Sequence, residues 1–342
     1  MNDHTIKYIV AGGFVVAAFA GGGMFFLVRS GYLTWGEPSD YDALMPSGRT
    51  WRSVRGKHWQ IVSTRYEEAT VTDAREKTRG DCPAGMVHVR GNMKQEPDAN
   101  PYSSKRIDKL QISTCVDWIQ KRYPERCQRF DRAKWEAIAE GLPTRAMSFC
   151  IDRFEYPNRR GQYPLIYANF HESKKLCAKQ GKRLCNEDEW TFACEGEQAK
   201  PYPYGNGYVR DPKKCVTDRK WLPYNEQSMV PRGGKAAGKE MDRLWKGHAS
   251  GAQGACRSEF GVYDMTGNID EWTVSARKHE RPSILKGGYW GPVRTRCRPT
   301  TRSHDENHMF YQQGFRCCAN ADQGKSAPAP PAAAGPIDGP LK

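Results

Sequence analysis

The first 81 residues contain no cysteine, and the twelve cysteines that follow include no Cys-x-x-Cys pair. Without that spacing the signature of zinc ribbons and thioredoxin-type redox sites is missing. No Gly-x-Ser-x-Gly, Walker loop or Gly-x-Gly-x-x-Gly in a strand–turn–helix setting occurs, which removes the hydrolase, P-loop and dinucleotide-binding classes. Internal repeats at solenoid or propeller period are absent. Apolar residues are sparse at 38%, with a mean hydropathy of −0.79, and this excludes a polytopic membrane protein. Acidic charge is also short: 39 Asp+Glu against 53 Lys+Arg leave a net charge of +14.

What is present points to a loop-rich domain with attachments. Cys82, Cys115, Cys127, Cys150, Cys177, Cys185, Cys194, Cys215, Cys256, Cys297, Cys317 and Cys318 form an even set scattered among turn residues. Such a set reads as a disulfide framework made in an oxidising compartment, with buried free thiols as the alternative. Tyr8 to Val28 is an uncharged apolar run between Lys7 and Arg29. At 1.5 Å per residue, a helix of that length crosses a hydrocarbon core of about 30 Å. Residues 1–29 are therefore expected to form a retained transmembrane signal anchor, with cleavage near Ala18-Phe19-Ala20 as the alternative. Residues 30–81 read as a stalk with short strands around Trp59 to Thr64, and 82–320 as the folded domain. Residues 321–342, rich in Pro and Ala, cannot build a core and read as a disordered tail.

Within the domain, three helices are predicted. One runs over Tyr167 to Gln180 with Gly181 as its stop, and one lies in Lys134 to Glu140. The third starts at Asn186, where Asn186 and Glu189 have the spacing of a capping box. Gly, Pro and Asn interrupt the rest every few residues, so short strands and ordered loops are expected.

Six segments occur together in order: Cys150-Ile-Asp-Arg-Phe-Glu-Tyr-Pro-Asn158, Gly181-Lys-Arg-Leu-Cys-Asn-Glu-Asp-Glu-Trp190, Pro201-Tyr-Pro-Tyr-Gly205, Gly261-Val-Tyr-Asp-Met-Thr-Gly-Asn-Ile-Asp-Glu-Trp-Thr273, Leu285-Lys-Gly-Gly288 and Gly314-Phe-Arg-Cys317. Together with Cys82-Pro-Ala-Gly-Met-Val-His-Val89 they resemble the formylglycine-generating enzyme, or sulfatase-modifying factor, family. The resemblance implies an irregular, loop-rich α/β (α+β) fold similar to C-type lectin-like folds. It implies a calcium site made by the Asp264 and Glu271 side chains and the Gly267 and Ile269 carbonyls; oxygen ligands a few residues apart suit a hard cation. Asp270 stands where the family has an aromatic, either as an extra carboxylate or as a solvated charge. The resemblance also implies a bridge between Cys194 and Cys317, and offers Cys297 as a displaced partner for Cys215.

The family's chemistry needs two cysteines shortly after the Lys-Gly-Gly strand, whose thiolates bind copper(I), a soft ion that prefers sulfur. Here that stretch reads Gly287-Gly-Tyr-Trp-Gly-Pro-Val-Arg-Thr-Arg-Cys-Arg-Pro-Thr-Thr-Arg-Ser303. Setting Arg296, Arg298 and Arg302 against the family's arginines puts Arg294 at one catalytic cysteine. Only Cys297 remains as a candidate thiol, out of register, and one thiol cannot supply a two-sulfur site, so copper is not expected. Arg296, Arg298 and Arg302 read as scaffold arginines buried against carboxylates. Arg294 has no such role and is expected to border an anion-binding groove with Tyr289, Trp290 and His304. His304 and His308, with the carboxylates between them, offer a weaker metal candidate.

The sequence thus favours a membrane-anchored, extracytoplasmic member of the family without copper chemistry. Its expected role is a binding or assembly module of a bacterial cell envelope, with calcium as the implied cofactor. The expected partners are an envelope protein or an anionic glycan or polymer, and not nucleic acid. The alternative is an oxidoreductase of the same family with a remodelled site at Cys297 or the His304/His308 loop.

Overall fold

The structure, a computed structural model, describes residues 82–322 apart from 99, 101–102 and 278–280, together with the backbone of five strands between residues 7 and 63. Two compact units divide the chain, residues 1–44 and residues 45–342.

In the first unit, β1 (Lys7–Ala11) and β2 (Phe14–Ala18) pair antiparallel, with Ala11 opposite Phe14, and β2 also pairs with β3 (Val28–Arg29). Among the described residues no helix is long and apolar enough to cross a membrane. A helix was expected over Tyr8 to Val28; strands occupy part of it instead. The β-branched and aromatic residues of the run favour strand. Hydropathy reports the length of an apolar run and not its conformation.

In the second unit, β4 (Arg49–Val54) and β5 (His58–Ser63) form a hairpin inside the predicted stalk, close to the expected strands around Trp59. The predicted tail beyond Asp322 lies outside the described residues.

The domain is built on two four-stranded sheets. The first is antiparallel and holds β6 (Met86–Lys94), β9 (Thr144–Asp152), β10 (Arg183–Leu184) and β15 (Cys317–Asn320) in the order β10-β15-β9-β6. The second has the order β13-β12-β11-β14, from β11 (Asp270–Val274), β12 (Ser283–Lys286), β13 (Thr300–Thr301) and β14 (Gln313–Phe315), with β11 and β14 parallel. The chain steps from β14 in one sheet to β15 in the other at Arg316, so Arg316 lies between the two layers.

Among the described residues, five α-helices pack around the sheets: α1 (Ile107–Ile112), α2 (Arg132–Glu140), α3 (Phe170–Ala178), α4 (Glu187–Glu195) and α5 (Lys235–Leu244). The predicted capping box is present at α4: Asn186 Oδ1 accepts from Glu189 N at 2.8 Å and Glu189 Oε2 accepts from Asn186 N at 3.0 Å. This satisfies two otherwise orphaned donors. The helix predicted from Tyr167 starts later, at Asn169, because Asn169 and Glu172 make a second capping box. A hairpin of β7 (Cys115–Gln120) and β8 (Arg126–Phe130) projects from the α1–α2 region.

All twelve cysteines are bridged: Cys82–Cys150, Cys115–Cys127, Cys177–Cys317, Cys185–Cys318, Cys194–Cys297 and Cys215–Cys256. Both family-based pairings are therefore corrected. Cys194 joins Cys297 and not Cys317, and Cys215 joins Cys256 and not Cys297. The cause lies in β15. Successive strand residues face opposite sides, so Cys317 meets Cys177 of α3 in one core cluster while Cys318 meets Cys185 in another. Cys194, on the inner side of α4, then faces the loop after β12, where Cys297 is fully buried.

Candidate functional site

A cavity of about 310 Å³ opens between β12, the loop after it and the His304–Gln313 segment. Its floor is set by Gly287 and Gly288, with φ of +90° and +68°, a left-handed conformation that glycine adopts without penalty. A Cβ at Gly287 would lie 2.9 Å from the Met265 carbonyl oxygen, so the backbone approach there also requires glycine. Tyr289, Arg294 and His304 of the predicted groove line this cavity, as do Asp270, Thr300 and Gln312. Trp290 does not. It is fully buried behind the wall, its ring centroid 6.1 Å from that of Tyr311, because consecutive residues of an extended segment face opposite ways.

The arginines of this segment separate by partner. Arg298 makes a bidentate pair with Glu195 of α4 at 2.6 and 2.7 Å, and Arg302 bonds Glu187 of α4 at 2.9 Å. Both match the scaffold reading. Arg296 is buried too, but against the Gln111 side-chain oxygen at 3.1 Å and the Phe130 ring, not a carboxylate. Buried Lys286 donates to the Arg298 carbonyl at 2.9 Å over the Trp190 ring, and burial pushes its ammonium down to about 8. Arg294 is the cation of the cavity wall. Its contacts are the Tyr123 hydroxyl and the Thr300 carbonyl, each at 3.4 Å, and the Tyr123 ring, 4.9 Å from its guanidinium carbon.

Tyr123 comes from the tip of the β7–β8 hairpin, which the Cys115–Cys127 bridge closes near its base. It is 73% exposed and roofs the cavity with Pro124. Opposite lies Asp270, whose Oδ1 accepts from Gly288 N at 3.0 Å; burial pushes its carboxyl up to about 7. Asp270 is thus neither solvated nor part of a calcium set. The His304 and His308 rings stack with centroids 3.8 Å apart, and the carboxamide oxygen of Gln313 is 3.0 Å from His308 Nδ1. Burial lowers the His304 pKa. Among the described residues no group of three or more His, Cys, Asp or Glu side chains is placed to hold a metal ion.

Both carboxylates of the implied calcium site, Asp264 and Glu271, are buried, and the Gly267 backbone packs against that of Val216. Glu271 gives both carboxylate oxygens to Arg316, at 2.6 and 2.7 Å, and one of them also to Trp190 Nε1 at 2.8 Å. Asp264 Oδ2 accepts from Gly251 N at 2.6 Å. Glu155 completes the acidic cluster, held by Ser250 Oγ at 2.7 Å and by Asn268 Nδ2 at 2.8 and 3.0 Å. Burial first, then the charges of Asp264 and Glu271, push the Glu155 carboxyl well up. This donor set does not fit calcium: the Glu271 oxygens are spent on a guanidinium, and Asn268 turns its amide donor toward the acids. Arg316 supplies the positive charge. Copper fits no better, because every cysteine is in a disulfide and no thiolate is available.

A Sulfatase-modifying factor enzyme 1-like domain matches residues 73–321. The chain belongs to that family. Inactive C-alpha-formylglycine-generating enzyme 2 of Bos taurus is 28% identical over 169 residues, 47% of this chain and 51% of that protein. Formylglycine-generating enzyme of Mus musculus is 24% identical over 128 residues, 33% of this chain and 27% of that protein. The chain thus spans about half the length, or less, of these curated relatives. Among solved structures, CarF aligns over 69% of this chain and 97% of its own at 12% identity, with a TM-score of 0.40.

Tyr289, Arg294, His304 and His308 were singled out from the sequence and line the cavity; Tyr123, Gln312 and the pocket position of Asp270 were not foreseen. Asp270 carried a signal, since it breaks the family pattern at a motif position. Tyr123 carried none, because it lies 171 positions from the arginine it covers.

Proposed function

We propose that this member of the sulfatase-modifying factor family is a non-catalytic binding module, exported to the oxidising side of a bacterial membrane and held at the cell envelope. One observation carries the reading: at the position where the family register expects a copper-binding thiolate, a pocket persists and its wall presents the Arg294 guanidinium. A guanidinium binds anions and cannot bind copper(I). The similarity to relatives named inactive supports the same reading. The six bridges support export. Membrane attachment is supported by the uncharged run Tyr8 to Val28. The partners this site suits are an anionic glycan or polymer, or an acidic face of an envelope protein; nucleic acid is not expected in that compartment.

Copper(I) titration of the purified protein in a competing chelator tests the reading. No stoichiometric thiolate-bound copper is expected, and a peptide cysteine offered with oxygen stays unoxidised. Stoichiometric copper uptake with oxidation of that cysteine overturns it in favour of the oxidoreductase alternative. That alternative requires the buried Cys194–Cys297 bridge to open before Cys297 can act.

A further inference from the structure

Among the described residues Arg294 makes no ion pair, although Asp270 of the same pocket acts on it through charge, whereas Arg298, Arg302 and Arg316 each pair with a carboxylate. The same pocket holds an unused acceptor. Gln312 is 8% exposed; its side chain is engaged with the Tyr289 phenol, and its Oε1 has no donor of its own. A buried carbonyl without a donor has lost its water and gained no partner in exchange. A ligand that both fills the pocket and donates there is favoured for that reason. The wall therefore asks for an anion at one end and hydroxyl donors along the rest, where Thr300 and Asp270 add further polar groups. Over Arg294 stands a mostly exposed phenol ring, a flat apolar face of the kind on which a pyranose stacks. With a single arginine and no lysine lining the cavity, one negative charge per ligand unit is matched.

We propose that this pocket takes one residue of an acidic polysaccharide, a pyranose with a single negative charge, its acid group on Arg294, a hydroxyl on Gln312 Oε1 and a ring face on Tyr123. The proposal rests on the binding-module reading above and names its ligand. A volume of about 310 Å³ holds a sugar-sized unit and not a folded partner. A net charge of +14 favours approach of a polyanion before the pocket engages. Hydroxyl-rich chemistry also distinguishes this ligand from an acidic peptide, which brings carboxylates but few hydroxyl donors.

Calorimetric titration of the full chain in detergent uses three probes: an oligogalacturonate, its methyl ester and a sulfated galactan oligosaccharide. The free acid is expected to bind at least tenfold more tightly than the ester. Arg294→Gln is expected to abolish that difference, and Tyr123→Ala to weaken acid and ester alike. Both variants keep the wild-type melting temperature, which shows that they fold. Binding of the sulfated probe in place of the carboxylated one supports the proposal and assigns the charge to a sulfate ester. Equal affinity for acid and ester overturns it, as does wild-type affinity in Arg294→Gln or no heat from any probe at millimolar concentration. If an acidic peptide competes from this pocket while the sugars do not, the saccharide assignment falls and the binding-module reading stands. Copper uptake with cysteine oxidation removes that reading itself.

Discussion

Replacing Cys194 and Cys297 together with alanine removes one crosslink from a nested set, and the nesting sets the size of the effect. Taken alone, a bridge between positions 103 apart is worth about 4.7 kcal/mol in the chain-entropy model. Cys185–Cys318 already brings the same two regions together in the unfolded chain. The path from Cys194 back to Cys185, across that bridge and from Cys318 back to Cys297 covers only about 30 residues, so the Cys194–Cys297 bridge adds a shorter loop. The expected loss is then just under 4 kcal/mol. Both sulfurs are buried, and the small cavities left by alanine add about 1 kcal/mol. In a domain of this size, 1 kcal/mol moves the melting temperature by about 2–4 °C, giving a fall of about 10–20 °C. Differential scanning calorimetry without reductant, against wild type at one pH, reads the shift. A fall below about 3 °C refutes the pairing and the nested-loop argument together. Native alkylation gives a second check: wild-type Cys297 stays unlabelled, whereas Cys194→Ala releases a thiol that labels on unfolding.

Arg316→Met strands Glu271, Glu155 and Asp264 in the interior without their cation and is expected to cost about 3–5 kcal/mol by urea titration, a loss that Glu271→Gln does not reproduce in full. Chelation or millimolar calcium is expected to leave the melting temperature unchanged, because Arg316 already serves the acidic cluster; a calcium-dependent rise of several degrees refutes that assignment. Asp270 keeps its proton in the folded state up to about pH 7, held there by burial against the opposing pull of Gly288 N, Arg294 and Lys286, with Glu271 assisting. Its contribution to stability is fully present below about pH 4 and is lost as the pH rises through 7, by a few kcal/mol at most. Asp270→Asn is expected to flatten the urea stability profile between pH 5 and pH 8, and an unchanged slope refutes the protonated carboxyl.

How legible each feature was follows from how local its cause is. The α4 start was readable because a capping box needs only Asn186 and Glu189, three positions apart. Helix α2 was readable around Trp135, which fills the core beside Tyr202 and Tyr208. Helix α5 was missed: Gly238 interrupts its pattern, and its stability comes from Met241 and Leu244 packing into a distant cluster. Tyr289, Arg294 and His304 line one cavity, and Arg298 and Arg302 fix the register of the loop that carries Arg294. The pairing of Cys317 was not readable, since it depends on which face of β15 meets α3. At the N-terminus, composition gave an apolar run whose conformation depends on its surroundings.

The basic segment after β11 shows why a changed site can sit on an unchanged frame. Read as a sequence, it carries eight Lys or Arg against Glu280 alone. In the fold, acids from elsewhere meet much of that charge. Glu195 and Glu187 of α4 pair with Arg298 and Arg302, Glu96 lies 3.7 Å from Arg298, and Glu187 and Glu195 act on Lys286. These contacts and the Cys194–Cys297 bridge hold the loop against α4 without using residue 294. The side chain at that position is therefore free to vary without loss of the backbone that shapes the cavity. A thiolate is a soft ligand for a metal ion, and a guanidinium is a delocalised cation with a planar fork of donors. Under the binding-module proposal, the Arg294 guanidinium, with Tyr123 over it from the stapled hairpin, offers an anion partner above the Gly287-Gly288 floor.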